Sequence, residues 1–575
     1  MTRLDKRPGC DIGMALGVFL LNLLFFPILT TTLAFLFGAG VSAPAILIGL
    51  VAAVAFSYCL SGRNLRQTAG VCLAGLAIAA ACVLLCCLCM DWSYDGNAYH
   101  KAVVGLLRDG WNPLRESFYS FAAGYDFLKE ESATWFDAYP KAAETWAACI
   151  YLLTGNIEAG KAFNLISVFA LFFLCQAFLG EGTNLKTWQR ALCAGALVLN
   201  PVSVSQSLTF YVDSFLWMML LLFLVGLLYL SLREKGRYEK LSCYLLFMSI
   251  AVGLNVKFSG LIFFGIPGIA FFLYWSISAL RRQERPQAKR LIVRRFLLLA
   301  SAVLCGLLLL GCDSYVTNTI RYHNPLYTMI GEGSTELILS QLPPAFAELS
   351  NAERFIASLF SRYSNSMSLT SVQWKLPFAV YREELTAYVD TRIGGWGIFF
   401  SGILLLSLAV LAVAAVKHRR DRKKELEAAG LLLATALIGI FAVPGLFWAR
   451  YFVGLSYVPA AALAVLFAWA NRRNTGKKRS FLPAILLAGL LCLNLATPAA
   501  RDGYELLNSF RMRAELAQFS ALCGEKTVTL GYSPFYGHFF DLRDREITDW
   551  QTGDVFAENC DGSIFGKTCL YYKAE

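Results

Sequence analysis

The chain has 575 residues, of which 57% are hydrophobic and 16% charged, with a mean hydropathy of +0.53. A soluble domain has no core large enough to hide that much apolar surface, so a wholly water-soluble enzyme is excluded and lipid is the solvent for most of the chain. The net charge of +11 sits in short clusters between apolar runs, not along one amphipathic face, which marks topology and excludes a nucleic-acid partner.

Apolar runs of about 20 residues, the length that crosses a bilayer, fall at 13–37, 43–60, 69–90, 157–180, 191–209, 213–232 and 241–256. Others follow at 259–280, 296–315, 394–416, 428–447, 451–470 and 481–500, which predicts about 13 transmembrane helices. The first run is too long for a signal-peptide core and reads as a retained helix. The pair 241–256 and 259–280 is interrupted by Gly253, Asn255, Lys257 and Gly260. Arg3, Lys6 and Arg7 place the N-terminus inside, so alternate connections are cytoplasmic. Those connections hold Arg63 and Arg66, Lys186 and Arg190, Arg233 to Lys240, Arg281 to Arg295, Lys417 to Lys424, and Arg472 to Arg479. With the N-terminus they carry more than half of the 51 Lys and Arg residues. The expectation is an all-α polytopic protein of a bacterial inner (plasma) membrane, with its working face outside.

The membrane domain is expected over 1–500, with large outside loops at about 91–156 and 316–393 that contain short surface helices. An extracytoplasmic tail follows over 501–575. Its alternating Val528, Leu530 and Tyr532 predict a small α/β appendage. Most of the 17 cysteines lie inside apolar spans, where thiols behave as small hydrophobes. Cys86, Cys87 and Cys89 have no His or carboxylate at ligand spacing and read as packing rather than a metal site. Cys560 and Cys569 can pair in an oxidising compartment, but two cysteines do not by themselves fix a disulfide.

In the first outside loop Asp91 and Asp95 lie four residues apart, directly after a span. Helical continuation would put both carboxylates on one face at the water boundary; a solvated helix start is the alternative. Residues 97–108 have helical apolar spacing (Ala98, Val103, Leu106, Leu107) and predict a short helix lying on the membrane surface. Asp213 occupies a very short outside turn, where an ionisable group near hydrocarbon is costly, although it can also cap the next helix. Lys257 and Arg450 stand against the positive-inside trend. An anion at the outer boundary explains them, with lipid phosphate the obvious one, and snorkelling to ordinary head groups is the alternative. Arg321 reads the same way. His100 and His323 lack clustered metal-ligand partners, so no metal is expected at either.

The order Asp95, Tyr99-His100, Gly110-Trp111-Asn112-Pro113, Asn200-Pro201, Tyr211-Val212-Asp213, Lys257-Phe258-Ser259-Gly260, Asn324-Pro325-Leu326-Tyr327, Ala449-Arg450-Tyr451 resembles the GT-C superfamily of polytopic glycosyltransferases. The branch it is most similar to holds the protein O-mannosyltransferases and the lipid A aminoarabinose transferase. The matching stretches span residues 91 to 451. Two more spans precede the large loop than is common in that family. Asp91 also leaves open which carboxylate is the base, though Asp95 fits the motif better.

The resemblance implies a hexosyl or pentosyl transferase that uses a polyprenyl-phosphate sugar, by inverting single displacement and without a cofactor or a metal. Asp95 would take the proton of an acceptor hydroxyl as that oxygen attacks the anomeric carbon. Lys257, Arg321 or Arg450 would balance the charge of the leaving lipid phosphate. Asp213, Tyr99, His100 and Trp111 complete the implied substrate site. Trp92, Tyr94 and Trp111 can stack on a sugar or form an interfacial belt. The acceptor is a protein, a lipid or a cell-wall polymer. The rival class is a polysaccharide polymerase or ligase, or a transporter of lipid-linked glycans. A transporter would carry charged groups at mid-membrane and often an internal repeat, and no repeat is visible.

Overall fold

The computed structural model describes residues 11–122, 125, 135–233, 236–331, 341–385, 390–471, 480–531, 534–558 and 560–573. The basic residues at 1–10 and 472–479, and Tyr532, lie outside these. The described chain is mostly helical, with α1 (Ile12–Leu36), α2 (Ala43–Leu60), α3 (Leu65–Leu88), α4 (Lys101–Arg108), α5 (Phe163–Gly182), α6 (Thr187–Val198), α7 (Asp213–Leu232) and α8 (Glu239–Gly253). It continues with α9 (Gly260–Arg282), α10 (Arg285–Leu304), α11 (Phe400–His418), α12 (Lys423–Ala442), α13 (Tyr457–Ala470), α14 (Leu482–Asn494) and α15 (Ala496–Glu525). It is a multi-pass membrane protein: eleven helices among the described residues are long and apolar enough to cross a bilayer. α1 and α7 are the most enclosed, with 78% of their apolar windows buried, so they form the middle of the bundle and the others present apolar side chains outward to lipid.

Thirteen spans were expected, and the difference lies in α6 and α8. These have 12 and 15 residues, or about 18 and 22 Å at 1.5 Å per residue, less than the roughly 30 Å hydrocarbon core. The apolar run at 191–209 is cut because Asn200 caps a new turn, accepting from the Ser203 amide at 3.0 Å, with Pro201 at its first position. The chain nevertheless returns to the same end of the bundle. Asn164, at the start of α5, donates to the carbonyls of Gln206, Thr209 and Tyr211, and the Ala142 amide donates to the carbonyl of Asn255.

The expectation that 97–108 lies on the membrane surface is wrong. Gly96–His100 forms a π-turn leading into α4, and Lys101 through Leu107 are all buried. The helix Ala142–Thr154 covers them on one side, and the C-terminal appendage adds a further cover. After α15 the chain forms a four-stranded sheet in the order β2-β1-β4-β3, with β1 (Val528–Gly531), β2 (Gln551–Thr552), β3 (Gly562–Ile564) and β4 (Cys569–Lys573). β1 pairs in parallel with β2 and antiparallel with β4, and β3 with β4 is antiparallel. A short helix, His538–Arg543, seats Phe540 against Gly105, and the Gly537 amide donates to the Asn97 carbonyl at 2.8 Å. Between them Lys101, fully buried, donates to Asp541 at 2.9 Å and to Glu158 at 2.8 Å. Cys560 and Cys569 are both free. Cys569 packs into the core while Cys560 is half-buried ahead of β3, with its thiol on the Ala557 carbonyl, so the two thiols serve different environments.

The interlock gives the appendage a pH dependence. Burial of His538, aided by the nearby Lys101 ammonium, lowers its pKa from 6.5 to about 4. Below pH 6.5 the unfolded imidazole takes a proton that the folded one refuses. Stability is therefore complete above pH 6.5 and declines as the pH falls toward 4, by on the order of 3 kcal/mol. Thermal unfolding of the purified protein and of His538→Gln from pH 7.5 to 4 should show the wild type losing stability more steeply in that window. Parallel curves would contradict a neutral buried imidazole.

Candidate functional site

Asp95, Asp213, Lys257 and Arg450 meet at one end of the bundle, the end away from the basic connections at Arg63–Arg66, Lys186–Arg190 and Arg281–Arg295. Their positions follow from where helices start. Asp213 is the first residue of α7, the end of a helix at which negative charge is favoured. Lys257 lies in the break between α8 and α9. Arg450 occupies a short 3-10 turn, Ala449–Tyr451, ahead of α13. That turn is pinned by the Trp217 indole, which donates to the Arg450 carbonyl at 2.9 Å.

Arg450 is the hub. One guanidinium nitrogen donates to Asp95 Oδ2 at 2.8 Å and lies 3.6 Å from Asp213 Oδ2, and its Nε lies 3.1 Å from Asp390 Oδ1. The guanidinium also stands 5.0 Å from the ring centres of Tyr211 and Tyr451. Lys257 donates to Asp213 Oδ1 at 2.7 Å and sits 4.3 Å from the centre of the Tyr451 ring. Gln206 completes the shell of Asp213, donating to its Oδ2 at 3.2 Å while accepting from the Ser214 amide. Arg392 joins the rim, 3.3 Å from Asp390 and over the Trp448 ring.

Burial works against the charge on Arg450, yet the Asp390 and Asp95 carboxylates and the neighbouring tyrosines outweigh it and hold its pKa well above the ordinary value. Lys257 is raised likewise: burial opposes its charge and Asp213 more than restores it. Asp390 goes the other way. Burial, with Asp95 nearby, raises its carboxyl pKa although Arg450 pulls against this. The cluster thus holds two cations that stay charged and one carboxyl driven toward its protonated form.

Asp91 does not share a face with Asp95. Residues 91–93 are not helical; the helix begins only at Tyr94. The Asp91 carboxylate is consumed in building the turn, accepting from the Ser93 and Phe210 amides, both at 2.8 Å. A Cβ at position 96 would lie 2.3 Å from Asp91 Oδ2 and Ser93 Oγ, so only glycine lets the π-turn close over that carboxylate. Asp91 therefore orients Asp95 through the backbone.

Other residues singled out from sequence go elsewhere. Arg321 makes two 2.8 Å bonds to Asp137, which also accepts from Tyr322, and so fastens the long connection between α3 and α5. His100 Nδ1 lies 2.5 Å from Glu144 Oε1 inside the protein. Trp111 is fully buried. Tyr99 packs among His100, Trp135 and Tyr139 beneath the cluster. Tyr94 stays 57% exposed beside Asp95, edge-on to Phe535, so its ring is open to a ligand. Among the described residues no group of three or more His, Cys, Asp or Glu is gathered as for a metal ion.

Sequence reading missed Asp390, Arg392 and Gln206, and named Tyr451 only within the stretch Ala449-Arg450-Tyr451. One signal was available for Asp390: like Asp95 and Asp213 it lies close to the end of a span, a few residues ahead of Gly394-Gly395-Trp396-Gly397 and α11. Comparison with protein-family models, curated proteins and solved structures finds no match.

If Arg450 is what allows three carboxylates to sit together, Arg450→Met should lower stability by about 3–5 kcal/mol, the range for a buried charge stripped of its partner. Adding Asp390→Asn should recover part of that loss. Additive effects in the double-mutant cycle would mean that the two residues are not coupled.

Proposed function

We propose that this protein is a membrane glycosyltransferase that moves a sugar from a polyprenyl-phosphate donor to an acceptor hydroxyl, in the manner of the GT-C enzymes that its sequence resembles. The observation that carries the reading is the junction of Asp95 with Arg450 and Lys257 at an apolar boundary. A carboxylate able to receive a proton there lies beside two cations able to receive a phosphate. The basic connections at the opposite end favour a site outside a bacterial inner membrane by the positive-inside rule.

In this reading Asp95 accepts the hydroxyl proton as the acceptor oxygen attacks the anomeric carbon. The bond from that carbon to the phosphate oxygen breaks, and the electron pair leaves with the lipid phosphate. Charge on that phosphate grows through the step, and Arg450 and Lys257 stand ready for it without a solvent shell to rearrange. Asp213 keeps both cations aimed, and Tyr94 is placed to stack on the sugar.

Charge balance adds a condition. The three cations Arg450, Lys257 and Arg392 already face the three carboxylates Asp95, Asp213 and Asp390, so an incoming phosphodiester brings one negative charge too many. Protonation of Asp390, toward which burial already drives it, offsets that charge.

Two measurements test the proposal. Purified protein in liposomes, given radiolabelled polyprenyl-phosphate sugars and cell-envelope acceptors, should transfer label, and Asp95→Asn should reduce transfer by about two to four orders of magnitude. Unchanged transfer in Asp95→Asn would remove it as the base; label crossing the membrane without transfer would favour a transporter. Donor affinity should also strengthen as pH falls, by at most about tenfold per pH unit, because binding takes up one proton. Asp390→Asn should flatten that dependence.

A further inference from the structure

Between Tyr363 and Tyr381 the chain has a single charged residue, Lys375. Its ammonium is turned into the protein, donating to Glu384 at 2.6 Å and to the Ile398 carbonyl at 2.7 Å. With that charge satisfied inside, every second residue presents an apolar side chain outward. Trp374, Leu376, Phe378 and Val380 are 58%, 75%, 39% and 44% exposed. A contiguous apolar face of this kind marks a binding surface, for a protein or for a membrane.

The occupant follows from what the face adjoins. The Phe378 ring lies against Gly402 in the first turn of the membrane helix α11, where a Cβ would stand 2.5 Å from ring atoms. Phe378 takes a φ of +67° to reach it, a conformation that is strained for an aromatic residue. One turn further along α11, Leu405 and Leu406 are 46% and 48% exposed on a helix apolar enough to span the bilayer. The outward face of 374–380 is therefore continuous with the lipid-facing surface of α11. Charged side chains reappear only beyond it, at Arg382 and Glu383, where Glu383 pairs with Arg362.

We propose that residues 374–380 form a strap embedded in the interface of the leaflet on the site's side, with the bilayer as its partner. Trp374 then sits at head-group depth, as an amphipathic ring prefers, and Leu376 and Phe378 enter the acyl boundary. The strap does not depend on the proposed chemistry, yet it lies in the same loop as Asp390 and so ties one member of the charge cluster to the lipid surface.

The test uses the full-length protein in phosphatidylcholine and phosphatidylglycerol liposomes, with p-benzoylphenylalanine introduced at one position at a time. Photolysis of the Trp374 and Leu376 variants should give phospholipid adducts at a level similar to that of the Leu405 variant. It should give about tenfold more than the Glu383 variant. Absence of lipid adducts at 374 and 376, with adducts present at 405, would overturn the proposal. Adducts to another envelope protein in place of lipid, when the same variants are photolysed in native membranes, would also overturn it. The Leu405 control shows that the protein is folded and inserted in either case.

Discussion

A guanidinium placed where a membrane bundle meets water has few stable surroundings. It must either reach bulk solvent or be met by carboxylates, because burial alone disfavours its charge by several kcal/mol. Arg450 takes the second course, and the fold is arranged around it. Its partners come from the long connection after α3, from the start of α7 and from the loop before α11. The segments are thus joined through one side chain, although 355 residues separate Arg450 from Asp95. Lys257 extends the constraint by engaging Asp213 from the opposite side. It does so from the break between α8 and α9, where its ammonium meets Asp213 at 2.7 Å.

A second buried set of charges lies next to the first. Lys101 and Lys161 share Glu158, and Lys101 reaches Asp541 in the appendage. The two sets are linked by Asp91, whose amide donates to Glu158 at 3.0 Å while its carboxylate holds the Phe210 amide just before Tyr211. The position of Asp95 is consequently fixed from two directions. The appendage holds the π-turn from one side through Asn97, and the loop before α7 holds it from the other.

Much of the architecture could be read from residue order, because apolar length and basic loops obey strong physical rules. The two segments that fell short of a full crossing, α6 and α8, are those where Asn200-Pro201 and Gly253 interrupt the run. A sliding reading of hydropathy passes over such breaks. In the site, Asp213, Lys257 and Arg450 stood out because a charge in a short apolar turn has no cheap explanation. Asp390 did not stand out, since it lies in a long loop where charges are ordinary; only the folded chain brings it to Arg450. Asp91 misled for a different reason. Four-residue spacing implies a shared face only if the backbone is helical there, and the turn over Gly96 breaks that condition. The helix at 97–108 misled because amphipathic spacing tells which face is apolar and says nothing of what covers the other.

The reach of Lys101 to Asp541 carries a consequence for biogenesis. The two residues lie 440 positions apart, so Lys101 is made long before Asp541. While the ribosome is still making the later helices, the ammonium of Lys101 has the Asp91 carbonyl and the Glu158 carboxylate it shares with Lys161, but not Asp541. A chain without the segment that carries Asp541 leaves the Lys101 ammonium one carboxylate short beneath its surface. Folding of the C-terminal segment that carries Gly537 and Asp541 therefore closes the surroundings of Lys101 and seals the first loop from that side.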